Sequence, residues 1–216
     1  MNNTAYIYIG GEIFPDGIVE HPEKSDLVIA ADSGYDNAAT LGVKVDVLLG
    51  DMDSITESFN AVPEGTEIIK MPPEKDDTDT SLAVKLAIER GCDNIVIIGG
   101  LSGRLDHTMA NLSLLEWLSH AGGKTRFIRA LITDGKNRAR FIENDSALIP
   151  RSIFKYLSLV PASKVCRGVT IKGCKYPLNN AKLSRGNAQY TTSNEIEGNV
   201  ALIEIKRGAL YIIESM

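Results

Sequence analysis

Apolar runs alternate with helical patterns through the first half of the chain, and each run stops at small or polar residues. Ala5 to Ile9 ends at Gly10-Gly11, Leu27 to Ala31 at Asp32-Ser33-Gly34, and Val45 to Leu49 at Gly50-Asp51. Glu67 to Met71, and Asn94 to Ile98 before Gly99-Gly100, complete five predicted strands. Short continuous apolar runs of this kind suit strands buried on both faces. Between them the spacing predicts helices over Tyr35 to Leu41, Thr80 to Arg90 and His107 to Ala121, with Leu82, Leu86 and Ile88 among the apolar positions of the second. Trp117 and Leu114 lie at helical spacing on the expected core face of the third. This βαβ rhythm implies an α/β domain with a mostly parallel sheet covered by helices.

From about residue 125 the period shortens to alternating strands separated by turns. Asp134-Gly135-Lys136-Asn137, between Leu131 and Phe141, has the composition of a hairpin connection. Tyr156 to Val160, Gly168 to Ile171, and the pair Val200 to Ile205 with Ala209 to Ile213 around Lys206-Arg207-Gly208 predict an antiparallel all-β sandwich or barrel. Gly122-Gly123-Lys124 closes the last helical pattern, so the expected division is an α/β domain over residues 1–125 and a β-sandwich over 126–216. No internal repeat or low-complexity segment interrupts either half.

Composition narrows the function classes. The 216 residues carry a formal net charge of −5 with 24% charged residues, the profile of a globular chain that nucleic-acid phosphates would repel. An anionic nucleotide would then need a cation beside it. Three cysteines, Cys92, Cys166 and Cys174, show no CxxC spacing and form an odd set, which argues against a zinc site or a disulfide framework and fits a reducing cytoplasm. No apolar run approaches the roughly 18 residues of a membrane helix, and the first residues lack a secretory pattern. A cytoplasmic protein without membrane or nucleic-acid partners is expected.

The chemistry concentrates where strands end. Asp51 and Asp53 follow a buried strand one residue apart, and carboxylates this close repel unless a cation separates them, which points to a hard divalent ion such as Mg²⁺. The same two residues would also serve as a helix cap or a turn. Asp32-Ser33-Gly34, Lys75-Asp76-Asp77-Thr78-Asp79 and Gly99-Gly100-Leu101-Ser102-Gly103-Arg104-Leu105-Asp106-His107 add three more polar strand ends. In a parallel sheet all of them fall on one edge, where ligands gather. Acidic loops can converge on a cation, Arg104 and Lys75 can bind phosphate oxygens, and glycines let backbone N–H groups approach them. Structural roles compete at several positions: Thr78 or Asp79 as a helix cap, Gly99 to Gly103 as a tight turn, and His107 as a cap or packing residue. The glycines match neither a Walker A loop nor a GxGxxG fingerprint.

Four motifs in this order, Ala31-Asp32-Ser33-Gly34, Gly50-Asp51-Met52-Asp53-Ser54, Lys75-Asp76-Asp77-Thr78-Asp79 and Gly103-Arg104-Leu105-Asp106-His107, followed by an all-β half, resemble the thiamine pyrophosphokinase family. Thr192-Ser193-Asn194-Glu195 resembles the segment with which family members hold the thiamine rings. The resemblance implies Mg²⁺-dependent transfer of a diphosphoryl group from ATP to thiamine, giving AMP and thiamine diphosphate, by a homodimer with its active site between subunits. It implies Asp51, Asp53 and Asp79 as metal ligands, Asp32 and Asp106 as neighbouring acids, and Arg104 as a phosphate contact. Gly10, Gly11, Asp32, Ser33, Gly34, Lys75, Asp76, Thr78, Gly99, Gly100, Arg104 and His107 are the candidate ATP residues. Asp76, Asp79 or Asp106 is available to accept the alcohol proton. Ser193, Asn194 and Tyr190 are the candidate thiamine contacts, Tyr190 standing in for the aromatic residue the family presents to the rings. Two other functions fit parts of the pattern: a haloacid-dehalogenase-like phosphatase using Asp51 as nucleophile, and a non-catalytic nucleotide- or thiamine-binding protein. Against the phosphatase, two further strands precede this Asp-x-Asp.

Overall fold

The computed structural model describes residues 3–50, 62–72, 77–123, 126–187 and 191–216. Contacts divide the chain into two compact units, residues 1–135 and 136–216.

The first unit is a parallel sheet. Its strands are β1 (Thr4–Tyr8), β2 (Leu27–Ala31), β3 (Val47–Gly50), β4 (Glu67–Lys70), β5 (Asn94–Ile98) and β6 (Arg129–Thr133), in the order β4-β3-β2-β1-β5-β6. The helices are α1 (Gly34–Thr40), α2 (Asp79–Glu89) and α3 (Leu105–Ala121). Predicted strand ends fall within two residues of the observed ones. Residues near Leu131, which the pattern groups with the second half, pair in parallel with β5 instead. β2, β3 and β5 are buried at nearly every position, as strands covered on both faces must be. Edge strand β4 is largely exposed and carries Glu67 and Lys70; Glu67 pairs with Arg90 at 2.6 Å. Charged residues of this kind discourage edge-to-edge association.

Helix faces differ from expectation in two places. On α2 the core is met by Ala83, Val84 and Ala87, with Leu82, Leu86 and Ile88 only half-buried. On α3 the core face is Leu115 and Leu118, so Trp117, placed in the core from its spacing, is instead 42% exposed. Apolar and polar residues are mixed around this helix without one dominant apolar stripe, so periodicity cannot choose its buried side. An apolar cluster beside the sheet joins Tyr8, Val28, Ala30, Tyr35, Leu48 and Ile98. Within it the Tyr8 hydroxyl is fully buried and makes no hydrogen bond among the described residues. Burial, with a smaller contribution from Tyr6, pushes its phenol up to about 12.

The second unit is a two-sheet antiparallel sandwich. Its strands are β7 (Asn137–Glu143), β8 (Ser146–Pro150), β9 (Tyr156–Pro161), β10 (Val165–Lys172), β11 (Leu178–Ser184), β12 (Val200–Glu204) and β13 (Ala209–Ser215). One sheet runs β7-β13-β9 and the other β11-β10-β12-β8. Ile149, Leu159, Val169, Leu183, Ile203 and Leu210 meet between them. The expected pairing of Val200 to Ile205 with Ala209 to Ile213 does not occur: β12 joins one sheet and β13 the other. Both segments bury alternate residues in the same core, so alternation looks the same for a hairpin and for a corner between sheets. Arg167 holds the corner, its N–H donating to Arg207 O at 2.8 Å and its carbonyl accepting from Lys206 N at 3.2 Å.

A charged cluster is buried in the same unit. Glu214, 2% exposed, receives Arg138 Nη1 at 3.4 Å, the Arg140 guanidinium and the Ser152 hydroxyl at 3.4 Å. The Arg138 guanidinium also lies 4.5 Å from the centroid of the Phe154 ring. Charges taken this far from water survive only when paired, which gives the cluster a structural role.

Candidate active site

Strand order creates a crevice in the first unit. The chain leaves β1 for β2 on one side and later returns to lay β5 on the other, so the carboxyl ends of β1 and β5 flank a topological switch point. Gly10-Gly11 and Gly99-Gly100 occupy those ends and meet there. Gly100 N–H donates to Gly10 O at 3.0 Å, and the Ser102 hydroxyl donates to Glu12 O at 3.1 Å. A Cβ on Gly99, whose φ is +106°, would sit 2.6 Å from Ile9 O, so only glycine permits the approach.

The neighbouring strand end is equally constrained. Asp32 adopts a left-handed φ of 47°, its N–H donating to Leu49 O at 2.9 Å and its carbonyl accepting from Tyr35 N at 3.1 Å. Its carboxylate packs so closely on Gly50 that a Cβ there would lie 1.7 Å from Oδ1. A carboxylate therefore stands beside the residue that leads into Asp51. Backbone strain held at a ligand-facing edge is a mark of functional constraint. Ser33 and Gly34 follow it, the Ser33 hydroxyl lying 2.6 Å from where a Cβ on Gly10 would be. Gly10, Gly11, Asp32, Ser33, Gly34, Gly99 and Gly100 are thus brought to one edge. Asp51, Asp53, Lys75 and Asp76 lie outside the described residues, as does Tyr190.

At the start of α2, Thr78 is the N-cap, its hydroxyl accepting from Ser81 N at 3.2 Å. A cap of this type is worth about 1 kcal/mol. Asp79 occupies the first turn, where the helix dipole favours a negative group. Asp77 binds Lys85 Nζ at 2.7 Å, and that bond, with one from Ser81, lowers its pKa. At the start of α3, Arg104 and Asp106 form an exposed pair, Nη2 to Oδ2 at 2.5 Å. The Arg104 bond, aided by the His107 N–H at 3.0 Å, lowers the Asp106 carboxyl to about 2. A carboxylate that weakly basic is a poor proton acceptor at neutral pH. His107 is exposed at the same helix start.

In the second unit, Thr192 and Ser193 are exposed while Asn194 is 5% exposed. Ser193 has a left-handed φ of 59° and its N–H donates to the Ser158 hydroxyl at 3.0 Å. The Asn194 amide is spent on the backbone: Oδ1 accepts from Tyr176 N at 2.9 Å and Glu195 N at 3.0 Å, and Nδ2 donates to Tyr176 O at 2.8 Å. Asn194 therefore clasps the backbone of Tyr176, a residue that remains 60% exposed. A cavity of about 40 Å³ is lined by Ile171, Tyr176, Leu178, Thr191, Thr192 and Asn194. Tyr176 was missed from the sequence. Its signal is the aromatic in Cys174-Lys175-Tyr176-Pro177, which no spacing ties to Asn194 in the sequence.

Among the described residues no three His, Cys, Asp or Glu side chains gather in a way that would hold a metal ion. The site's acids nonetheless offer carboxylate oxygen only, without sulfur or imidazole, and that donor chemistry suits Mg²⁺.

A family model described as thiamin pyrophosphokinase, catalytic domain, matches residues 20–127, and one described as thiamin pyrophosphokinase, vitamin B1 binding domain, matches residues 146–210. Thiamine pyrophosphokinase of Bacillus subtilis (strain 168) is 32% identical over 222 residues, covering 98% of each chain. The crystal structure of a Bacillus subtilis thiamine pyrophosphokinase superposes with a TM-score of 0.85 at 28% identity, covering 99% of each chain. That of a thiamin pyrophosphokinase family protein from Enterococcus faecalis gives 0.79 at 26% identity, covering 100% of this chain and 99% of the other.

Proposed function

The chain belongs to the thiamine pyrophosphokinase family, and from that premise we propose how its residues divide the work. The activity is ATP:thiamine diphosphotransfer, giving AMP and thiamine diphosphate. The observation that carries the assignment of parts is the joined pair of glycine loops at the switch point, flanked by Asp32 and Arg104. Family membership does not favour a phosphatase with Asp51 as nucleophile.

In our reading the first unit holds ATP. Gly10, Gly11, Gly99 and Gly100 offer close backbone approach to phosphate, and Ser33, Gly34, Lys75, Asp76, Thr78 and His107 complete the surround. Attack at the β-phosphorus makes AMP the leaving group, and charge grows on the bridging oxygen and the β-phosphoryl oxygens. Arg104 would neutralise it, a role supported by its exposed guanidinium, which Asp106 holds at the start of α3. Asp51, Asp53 and Asp79 would hold Mg²⁺, which when bound neutralises polyphosphate charge; Asp32, against Gly50, adds a carboxylate to the same strand edge. In-line positioning and electrostatics dominate such transfers, so a strong base is unnecessary. The pair with Arg104 lowers the Asp106 carboxyl and makes it a weak base; Asp76 and Asp79 stand as the other candidates to receive the alcohol proton.

The second unit holds thiamine. Ser193 offers an exposed hydroxyl, Tyr176 an aromatic face for the rings, and Asn194 keeps Tyr176 in position. Tyr190 is a further candidate from the sequence. The protein acts as a homodimer with its active site between subunits. Support comes from the outer face of the β8-β12 pair, where register sets Leu148 beside Leu202 and Pro150 beside Val200, Leu148 being 68% and Val200 44% exposed. A cytoplasmic location is proposed. Its support is three free, buried cysteines; among the described residues no helix is long and apolar enough to cross a membrane.

Incubation with ATP, Mg²⁺ and thiamine tests the reaction. AMP and thiamine diphosphate in equal amounts are expected, and ADP with thiamine monophosphate would overturn it.

A further inference from the structure

Two asparagines outside every motif hold the glycine loops in place. Asn37, on α1, donates Nδ2 to Ile9 O at 2.7 Å and to Gly11 O at 3.0 Å. Asn111, on α3, donates Nδ2 to Gly100 O at 3.0 Å. Gly10 O is taken by Gly100 N–H and Glu12 O by the Ser102 hydroxyl. Five carbonyls of the paired loops are therefore engaged from within. Among the described residues, the amide N–H groups of Gly10, Gly11, Leu101 and Ser102 donate to no acceptor.

This asymmetry has a direction. A free carbonyl oxygen repels a phosphate oxygen, whereas a free N–H attracts it. Facing two carbonyls, the Asn37 amide must present its nitrogen, and an amide nitrogen carries two hydrogens to satisfy both. We propose that Asn37 and Asn111 are positioning residues for the nucleotide's polyphosphate: they occupy the loop carbonyls so that amide N–H groups are what the β- and γ-phosphates meet. The inference rests on the ATP site proposed above and adds to it a specific basis for preferring a triphosphate.

Calorimetric titration with ATP and with AMP, both in the presence of Mg²⁺, tests it on wild-type protein, Asn37→Ala and Asn111→Ala. Each variant should weaken ATP by about 10-fold or more, the scale of one to two lost hydrogen bonds, and AMP by less than about 3-fold on the same scale. Asn111→Ala places the best helix former inside α3, so it retains the fold even if Asn37→Ala does not. Asn37→Asp keeps the size but offers acceptors to carbonyls, and should lose at least as much ATP affinity as Asn37→Ala. Unchanged ATP affinity in the folded variants, or equal weakening of ATP and AMP, would overturn the proposal. A wild-type protein that makes ADP in place of AMP would instead reject the proposed transfer, and the titrations would still decide this point.

Discussion

Two arginine–carboxylate pairs show how differently the two units use charge. Arg104 and Asp106 are 73% and 64% exposed by side chain, while Arg138 and Glu214 are 6% and 3% exposed. An exposed pair adds little to stability and leaves its guanidinium available to a ligand. A buried pair is committed, because removing either partner strands a charge away from water. The same contrast recurs in amides. Asn194 is buried and spent on a turn, and what it presents is the exposed residue Tyr176. In the reading proposed above, the groups offered to substrate, Arg104 and Tyr176, are both exposed, and only in the second unit is the residue that aims one, Asn194, buried.

The largest effect should come from the acidic edge of the first unit. Asp53→Asn is expected to abolish turnover with an unchanged thermal midpoint; a fully active variant would remove Asp53 from the metal site. Glu214→Ala should do the reverse, costing about 3–5 kcal/mol in denaturant unfolding while leaving both KM values unchanged in the protein that remains folded. A loss within experimental error would show that the buried cluster is no structural element and would break the contrast.

Smaller effects sharpen it. The folded pKa of Asp106 is depressed, so the stabilisation from its pairing is present above the ordinary value of 3.8 and lost as pH falls through about 2. NMR titration should place its midpoint near 2 in the wild type and in the ordinary carboxylate range in Arg104→Ala. A midpoint that ignores Arg104 would mean the pair does not persist in solution. Least of all, Tyr8→Phe removes a buried hydroxyl that has no hydrogen bond among the described residues, and should leave stability unchanged or raise it by up to about 1 kcal/mol. A loss greater than that would reveal a partner for the hydroxyl.

Much of the first unit was legible because buried parallel strands announce themselves as unbroken apolar runs, and parallel connection alone puts their carboxyl ends on one edge. That is why Asp32, Gly10, Gly99 and Arg104 could be grouped from spacing. The clamps at Asn37 and Asn111 were not legible, since their partners are main-chain carbonyls that come within reach only in the fold. Tyr176 was hidden for the same reason: its clasp by Asn194 spans 18 residues. The corner at Lys206–Gly208 and the exposed Trp117 escaped because alternation and helical period report that a residue is apolar, not which neighbour covers it.

The division of labour between the units is tested most directly by the two KM values of Arg104→Ala and Tyr176→Ala. Arg104→Ala should lower kcat/KM for ATP by about 10²-fold and leave KM for thiamine within about 2-fold of wild type, a difference worth less than one lost hydrogen bond. Tyr176→Ala should raise KM for thiamine by about 10-fold, the scale of one aromatic contact, with KM for ATP unchanged. If both substitutions act on the same substrate, or each on both, the account of two units with separate ligands is wrong.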